Sequence, residues 1–567
     1  MTDDTRSRFD RRHVLKGIGA AGVAGLAGCS GGGGGGDGAT TDSGGGGTES
    51  GGGSSQTQQS QQTQESSAGG GGKLKMAQVK SPIEFDPIVL NDVPSAQIAS
   101  QIFQGMYTYD ESTGLVPELA ASEAEVSNNG QRYVLELKKG ATFQNGDPVT
   151  AEDVKYTLEA PVAEETENAS ELNMIDTIQA MDERTVQIDL QFPYAAFPNA
   201  LTFGIVPKSV REQDKEAFNT NSPVGSGPFQ FEEWQEGSFA RLSRWDDYWG
   251  DPMPNLAEIE MVPVEEATTR ITTLQNGEND VIEEIPPKLY STVRNQQNTA
   301  IEEVPGIGYF YLAMNCKEGP TADAKAREAV DYCFNMSQAV SNFVEPTGLR
   351  QYSPLPKSVA EDWGMPLDEW QGIPHEKDLD EAQRLFDEAD VPSDYQWQII
   401  VPPDDKREQI GVTVANGLEE AGFNANVQRL DWGAFLEKYI SGSEDDYNMY
   451  TLGWSGTPDP DSFTYFLLAR TDDVLGVTNG TFYGANSERG KQAVQKFVDA
   501  RQMTDRDQRK QLYTEGITTV LEDRAHLPAY NLKNSFGVRG YVDDFVSHPV
   551  SPGFRLVSDF NNVSTNE

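Results

Sequence analysis

Three cysteines and four histidines are the side chains here that zinc, redox or nucleophilic chemistry would call on first, and their spacing removes most of it. His13, His375, His526 and His548 stand far apart, with no H-E-x-x-H and no C-x-x-C, so a protein zinc site is not expected. Residues 73–567 contain no G-x-S-x-G elbow to support a serine nucleophile. The cysteine with a chemical context is Cys29. It ends Leu26-Ala27-Gly28-Cys29, a lipoprotein cleavage box that marks it for lipidation. Arg11-Arg12 and the small-residue apolar stretch 17–28 precede it, in the order of a twin-arginine export signal. Gly17 to Gly22 also fits G-x-G-x-x-G, but no strand leads into it, so no dinucleotide site is implied. Cys316 and Cys333 lie in apolar surroundings and read as two buried thiols.

Carboxylates are too many to be informative singly. Asp and Glu number 89 against 44 Lys and Arg, a formal charge of −45. The acids are dispersed, which excludes a nucleic-acid binder, since phosphate needs Lys and Arg. Dispersed acidity is the surface of a protein made for salt, where charges are screened within about 3 Å at molar ionic strength.

The elements that would position a site alternate between strand and helix. Residues 73–79, 133–137, 185–190 and 397–401 read as strands. Thr150-Ala151-Glu152-Asp153 and Asp378-Leu379-Asp380-Glu381 read as capping boxes opening helices. A helix through Ile410, Val414 and Leu418 precedes a strand at 426–428. This is an α/β pattern. Residues 30–72 are mostly Gly, Ser, Thr and Gln, a coil with a mean reach of roughly 35–40 Å.

Seven blocks in order carry a resemblance. They are Phe85-Asp86-Pro87 with Gln101 to Asp110, Gly114 to Ala120, Leu137 to Val154, Gly225 to Phe229 with Trp245 to Gly250, Leu274 to Val281, Arg327 to Tyr332, and Gly453 to Phe463. Together they resemble the family-5 solute-binding proteins of ABC importers, the dipeptide, oligopeptide and nickel group, from about residue 75 to 550. The resemblance implies a two-lobed, type II periplasmic-binding-protein-like fold with an extra subdomain inserted in the first lobe. After the 1–29 signal and the 30–72 linker, lobe I takes 73–105, 222–305 and 530–567. The inserted subdomain takes 106–221 and lobe II 306–529.

In the peptide-binding members, the segment matching Gly453 to Phe463 lines the cleft, and an Asp in it holds the peptide ammonium. Here that position is Thr457, and the segment is shorter by one residue before Asp459-Pro460. Asp459 is the carboxylate placed to substitute, or else a turn former. Trp454 has two readings, a ring that stacks on ligand or an anchor for the loop. Gly453, Trp454, Ser455, Thr457 and Asp459 therefore form the candidate site. Tyr107 joins them as a cleft residue or else as core packing, and Arg350 joins as a fork for a ligand carboxylate or as half of a surface ion pair.

The implied function is a lipid-anchored, extracytoplasmic subunit that is not an enzyme, needs no cofactor or metal, and acts as a monomer. It delivers di- or oligopeptides to an ABC permease. An oligosaccharide receptor is the alternative ligand class, and a secreted hydrolase or a non-transport surface protein the rival function.

Overall fold

The computed structural model describes residues 71–470, 479–551 and 554–566. The export signal, Cys29 and the Gly/Ser/Gln stretch lie outside the described residues. Among the described residues, no helix is long and apolar enough to cross a membrane, and no cluster of three or more His, Cys, Asp or Glu is arranged to hold a metal ion.

The fold is α/β and two-lobed, organised by a twelve-stranded sheet. The 14-residue strand His526–Arg539 belongs to both lobes. Its first residues pair with Gly308–Met314, and Lys533 to Arg539 pair with Thr299–Pro305. Gly306-Ile307 lies between these two pairings, and the Gly306 amide donates to the Leu532 carbonyl at 2.9 Å. There the Asn531 side chain donates to the carbonyls of Gly306, at 2.9 Å, and Gly308, at 2.6 Å.

On the first-lobe side, Gly72–Gln78 runs parallel to both Leu256–Pro263 and Val281–Glu283. Phe239–Arg244 and Phe229–Gln235 continue antiparallel. On the second-lobe side, Met449–Ser455 pairs with Gly308–Met314 and runs parallel to Gln396–Val401, which runs parallel to Asn424–Arg429. Strand Gly308–Met314 is apolar throughout because both its faces are covered. Tyr309, Tyr311 and Ala313 enter one core, and Leu312 and Met314 the core opposite.

A separate antiparallel sheet lies between the first-lobe strands in sequence. Its order is Glu125–Ser127, Arg132–Glu136, Thr185–Leu190, Ile175–Ala180. Alternating Tyr133, Leu135, Val186 and Ile188 bury one face against Leu158 of the helix Ala151–Ala163. That helix starts at the expected box, with Thr150 and Asp153 exchanging side-chain and backbone hydrogen bonds. This body has its own core, including Tyr107 and Phe197.

Cys316 and Cys333 are free and buried, in cores on opposite faces of the second-lobe sheet. Burial pushes the Cys333 thiol up to about 12, so neither reads as a reactive thiolate. The four N-x-S/T asparagines are engaged, and Asn335 donates to Glu376 at 2.7 Å. Asn168 donates to the Leu90 carbonyl at 2.9 Å, Asn479 to Leu468 at 2.8 Å, and Asn562 to Met253 at 3.1 Å.

Candidate functional site

In open α/β sheets the ligand sits beyond the carboxyl ends of the parallel strands. Strand Met449–Ser455 ends at that edge, and residues 456–463 follow it. Gly453 is there because a ring is. It pairs with Phe310, and a Cβ on Gly453 would stand 2.4 Å from the Phe310 ring. That ring stacks on Tyr530, with centroids 4.7 Å apart.

The loop folds on itself first. The Trp454 indole donates to the Ser462 carbonyl at 2.8 Å and stacks beside Phe466 at 5.9 Å. The Ser462 hydroxyl accepts from the Thr457 amide at 3.0 Å. Gly456 is obligatory, since a Cβ there would lie 1.9 Å from that hydroxyl. The anchoring reading of Trp454 therefore has direct contacts. Its ring stays half-buried, and Ser455 is exposed.

Asp459 is committed within the protein. Its two oxygens receive the Arg509 guanidinium, at 2.7 and 3.1 Å, with both side chains under 10% exposed. The same carboxylate caps the short helix Pro460–Thr464 by accepting from the Asp461 amide at 2.9 Å. Asp461 is fully buried and receives Arg501 at 2.6 Å. Burial pushes its carboxyl up to about 6; Arg501 opposes that and the nearby Asp459 adds to it.

Residues from the first-lobe side close over this loop. Tyr194 donates to Asp461 at 3.1 Å. Tyr109 joins the apolar cluster of Tyr309, Leu452 and Phe463, and donates to Asn199 at 3.3 Å. Tyr107, by contrast, packs in the core of the four-stranded body with its hydroxyl accepting from the Ala124 amide at 2.8 Å. Of the two tyrosines in that hairpin, Tyr109 is the one that faces the loop, and Tyr107 does not. Strand alternation, with residues two apart on one face, could not choose between them.

Arg350 ends the short strand Gly348–Arg350, paired with Tyr530 to Leu532. Its Nη1 donates to the carbonyls of Pro528, at 2.5 Å, Ala529, at 3.1 Å, and Gln351, and its guanidinium lies 4.3 Å from the Tyr352 ring. Burial lowers it to about 10. Among the described residues no carboxylate pairs with it, although acids outnumber bases two to one in the chain. The surface ion pair expected for Arg350 is not formed. No hydrogen bond joins Arg350 to the 453–463 loop.

Sequence reasoning missed a cavity of about 570 Å³ on the first-lobe side of Tyr109. Gln104, Glu118, Trp249, Arg555 and Phe560 line it. Glu118 is clasped by Arg555, and Gln104 donates to Glu118 at 3.1 Å and Tyr248 at 3.0 Å. The Gln104 Oε1 is buried without a partner. Its signal was in the Gln101 to Asp110 block, but the far wall comes from residues some 450 positions later.

The profile described as "Bacterial extracellular solute-binding proteins, family 5 Middle" matches residues 114–473. The oligopeptide-binding protein AppA of Bacillus subtilis is 25% identical over 496 residues, 84% of this chain and 89% of AppA. The glutathione-binding protein GsiB of Pectobacterium atrosepticum is 26% identical over 452 residues, 77% of this chain and 84% of GsiB. Among solved structures, the ABC-transporter-associated periplasmic binding protein DppA of Helicobacter pylori, in complex with the peptide STSA, superposes with a TM-score of 0.69 at 22% identity. That match covers 88% of this chain and 98% of DppA.

Proposed function

The chain belongs to the bacterial extracellular solute-binding proteins of family 5, the substrate-binding subunits of ABC importers, and from that premise we propose that it captures di- or oligopeptides between its lobes and delivers them to a membrane permease. The observation that carries this is the loop 453–463, which leaves the second-lobe sheet at its carboxyl edge and meets Tyr109 and Tyr194 from the other side. AppA and GsiB, its relatives by sequence, are named for an oligopeptide and for glutathione.

Arg350 is our candidate for the peptide carboxylate. The guanidinium is held by Nη1 on carbonyls and by Nε on Ser337 at 3.3 Å, has no acid partner among the described residues, and keeps its Nη2 donors for a ligand acceptor. Asp459 is spent on Arg509, so the ammonium end falls to other acceptors. The test is calorimetry of the wild type against short peptides with free and amidated carboxyl ends. Free peptides should bind, and amidation should weaken them roughly ten-fold or more, as should Arg350→Lys. Equal affinity for both forms would remove Arg350 from the site. No binding of any peptide, with binding of an oligosaccharide, would replace the ligand class.

We also read the protein as tethered through lipidated Cys29 at the extracytoplasmic face, acting as a monomer beside its permease. Cys29→Ser should release it from the membrane fraction. Retention of a cleaved Cys29→Ser protein there would count against the anchor.

A further inference from the structure

The four-stranded body and the second lobe have separate cores, yet one polar contact joins them in an interior position. Arg501 ends the helix Glu488–Arg501. Its guanidinium carbon lies between rings of both parts. Tyr465 at 4.1 Å and Phe466 at 5.8 Å are on its own side, and Tyr194 at 4.4 Å and Phe192 at 5.8 Å come from the other. Asp461 Oδ2 then receives two donors, Arg501 at 2.6 Å from the second lobe and the Tyr194 hydroxyl at 3.1 Å from the four-stranded body. Close backbone approach continues the seam. A Cβ on Gly130, at φ +84°, would stand 2.2 Å from the Thr504 methyl.

None of this serves either core. The Tyr194 ring lies at the margin of its own, beside Tyr133 and Phe197, while its hydroxyl crosses to a carboxylate in the ligand loop. A cation between four rings is attracted to each. A hydrogen bond to a charged acceptor out of water is among the stronger ones. Both are available only when the two parts are together.

We propose that Tyr194 and Arg501 are positioning residues for lobe closure, with Asp461 as the shared latch: Arg501 holds the Asp461 carboxylate in the loop, and Tyr194 ties that loop to the opposite wall. This rests on the reading that the loop borders the ligand space, and it adds a contact between protein parts that holds a closed cleft shut. Ligand release is then limited by parting Tyr194 from Asp461 and the Arg501 guanidinium from the Tyr194 and Phe192 rings.

Tyr194→Phe removes the hydroxyl and keeps the ring. Small-angle scattering of the full chain reads the open-to-closed ratio, and stopped-flow displacement of a bound peptide reads the release rate. The substitution should move the ratio about ten-fold toward open and speed release by a similar factor, with the thermal unfolding midpoint in place. Arg501→Lys, which keeps the charge and loses the planar stack, should act in the same direction. Scattering and release rate both equal to wild type in Tyr194→Phe would overturn the latch. If wild type binds no peptide, the ligand reading fails by itself, and the scattering ratio still decides this one.

Discussion

Arg509→Met should cost about 3–5 kcal/mol of stability, the largest effect of any single change near the loop. The reason is what it leaves behind. Asp459 is about 6% exposed, and both its oxygens point at the guanidinium. With Arg509 gone, the carboxylate is an uncompensated buried charge beside another buried carboxylate, Asp461. Tyr513 also loses a donor to its hydroxyl, at 3.1 Å. Asp459→Asn also strands a buried charge, the Arg509 guanidinium, but should be milder because Asp461 still lies near that cation and Asn keeps the helix cap. The pair Arg509→Met with Asp459→Asn should recover much of the single loss, since the stranded charge is gone. Denaturant unfolding of the four proteins measures the coupling. A loss below about 1 kcal/mol in Arg509→Met would mean water reaches Asp459 and the pair is not interior.

The same geometry changes what a ligand measurement on Asp459 means. Weaker peptide binding in Asp459→Asn follows from a loosened loop as readily as from a lost ammonium partner. The unpaired Arg350 is the better probe, because its substitution strands no buried acid.

What the sequence disclosed follows the range of the interaction. Asp378 caps a helix at Leu379, accepting from the amides of Asp380 and Glu381, with Ala382, Leu385 and Phe386 buried, but the reciprocal half of the expected box is not formed, since Glu381 turns to Arg384. Thr185–Leu190 is a strand at the residues where alternation placed it. Both signals are complete within ten residues. The pairs that organise the loop are not local. Arg501 lies 40 residues from Asp461, Arg509 lies 50 from Asp459, and Tyr194 lies 267 from Asp461. With 89 acids in the chain, nothing in composition selects these two. Blocks in order could point to the loop, because the Gly-Trp-Ser-Gly run is contiguous. They could not show that its acids face inward to arginines, or that Tyr109 takes the cleft side and Tyr107 the core.

Glu283→Gln should flatten the dependence of stability on pH, and the sign can be worked from burial. Glu283 ends the strand Val281–Glu283, is about 6% exposed, and accepts from the Val79 amide at 2.7 Å and Gln97 at 2.9 Å. The Arg270 guanidinium donates to its backbone carbonyl, at 3.0 Å. Burial, only partly opposed by the Gln97 hydrogen bond, raises the carboxyl from 4.5 to about 7. A raised carboxylate holds its proton in the folded state after the unfolded chain has lost it. Its contribution is full below pH 4.5 and is lost as pH rises toward and past 7. Between pH 4.5 and 8 the wild type should thus lose about 3 kcal/mol that Glu283→Gln does not. His526 works the other way. It is fully buried against the stacked pair Tyr309 and Tyr311, and burial holds it down at about 3 from 6.5. The unfolded chain therefore takes up a proton below pH 6.5 that the fold refuses, and stability falls toward acid. The two slopes overlap from about pH 4.5 to 6.5 and partly cancel there, so the wild-type curve alone hides both. The difference between wild type and Glu283→Gln isolates one, because His526 is common to the two proteins. That difference should grow by about 3 kcal/mol in favour of the variant from pH 4.5 to 8. A difference constant across that range would show that Glu283 is already ionised in the folded protein, and that the end of this strand is wet.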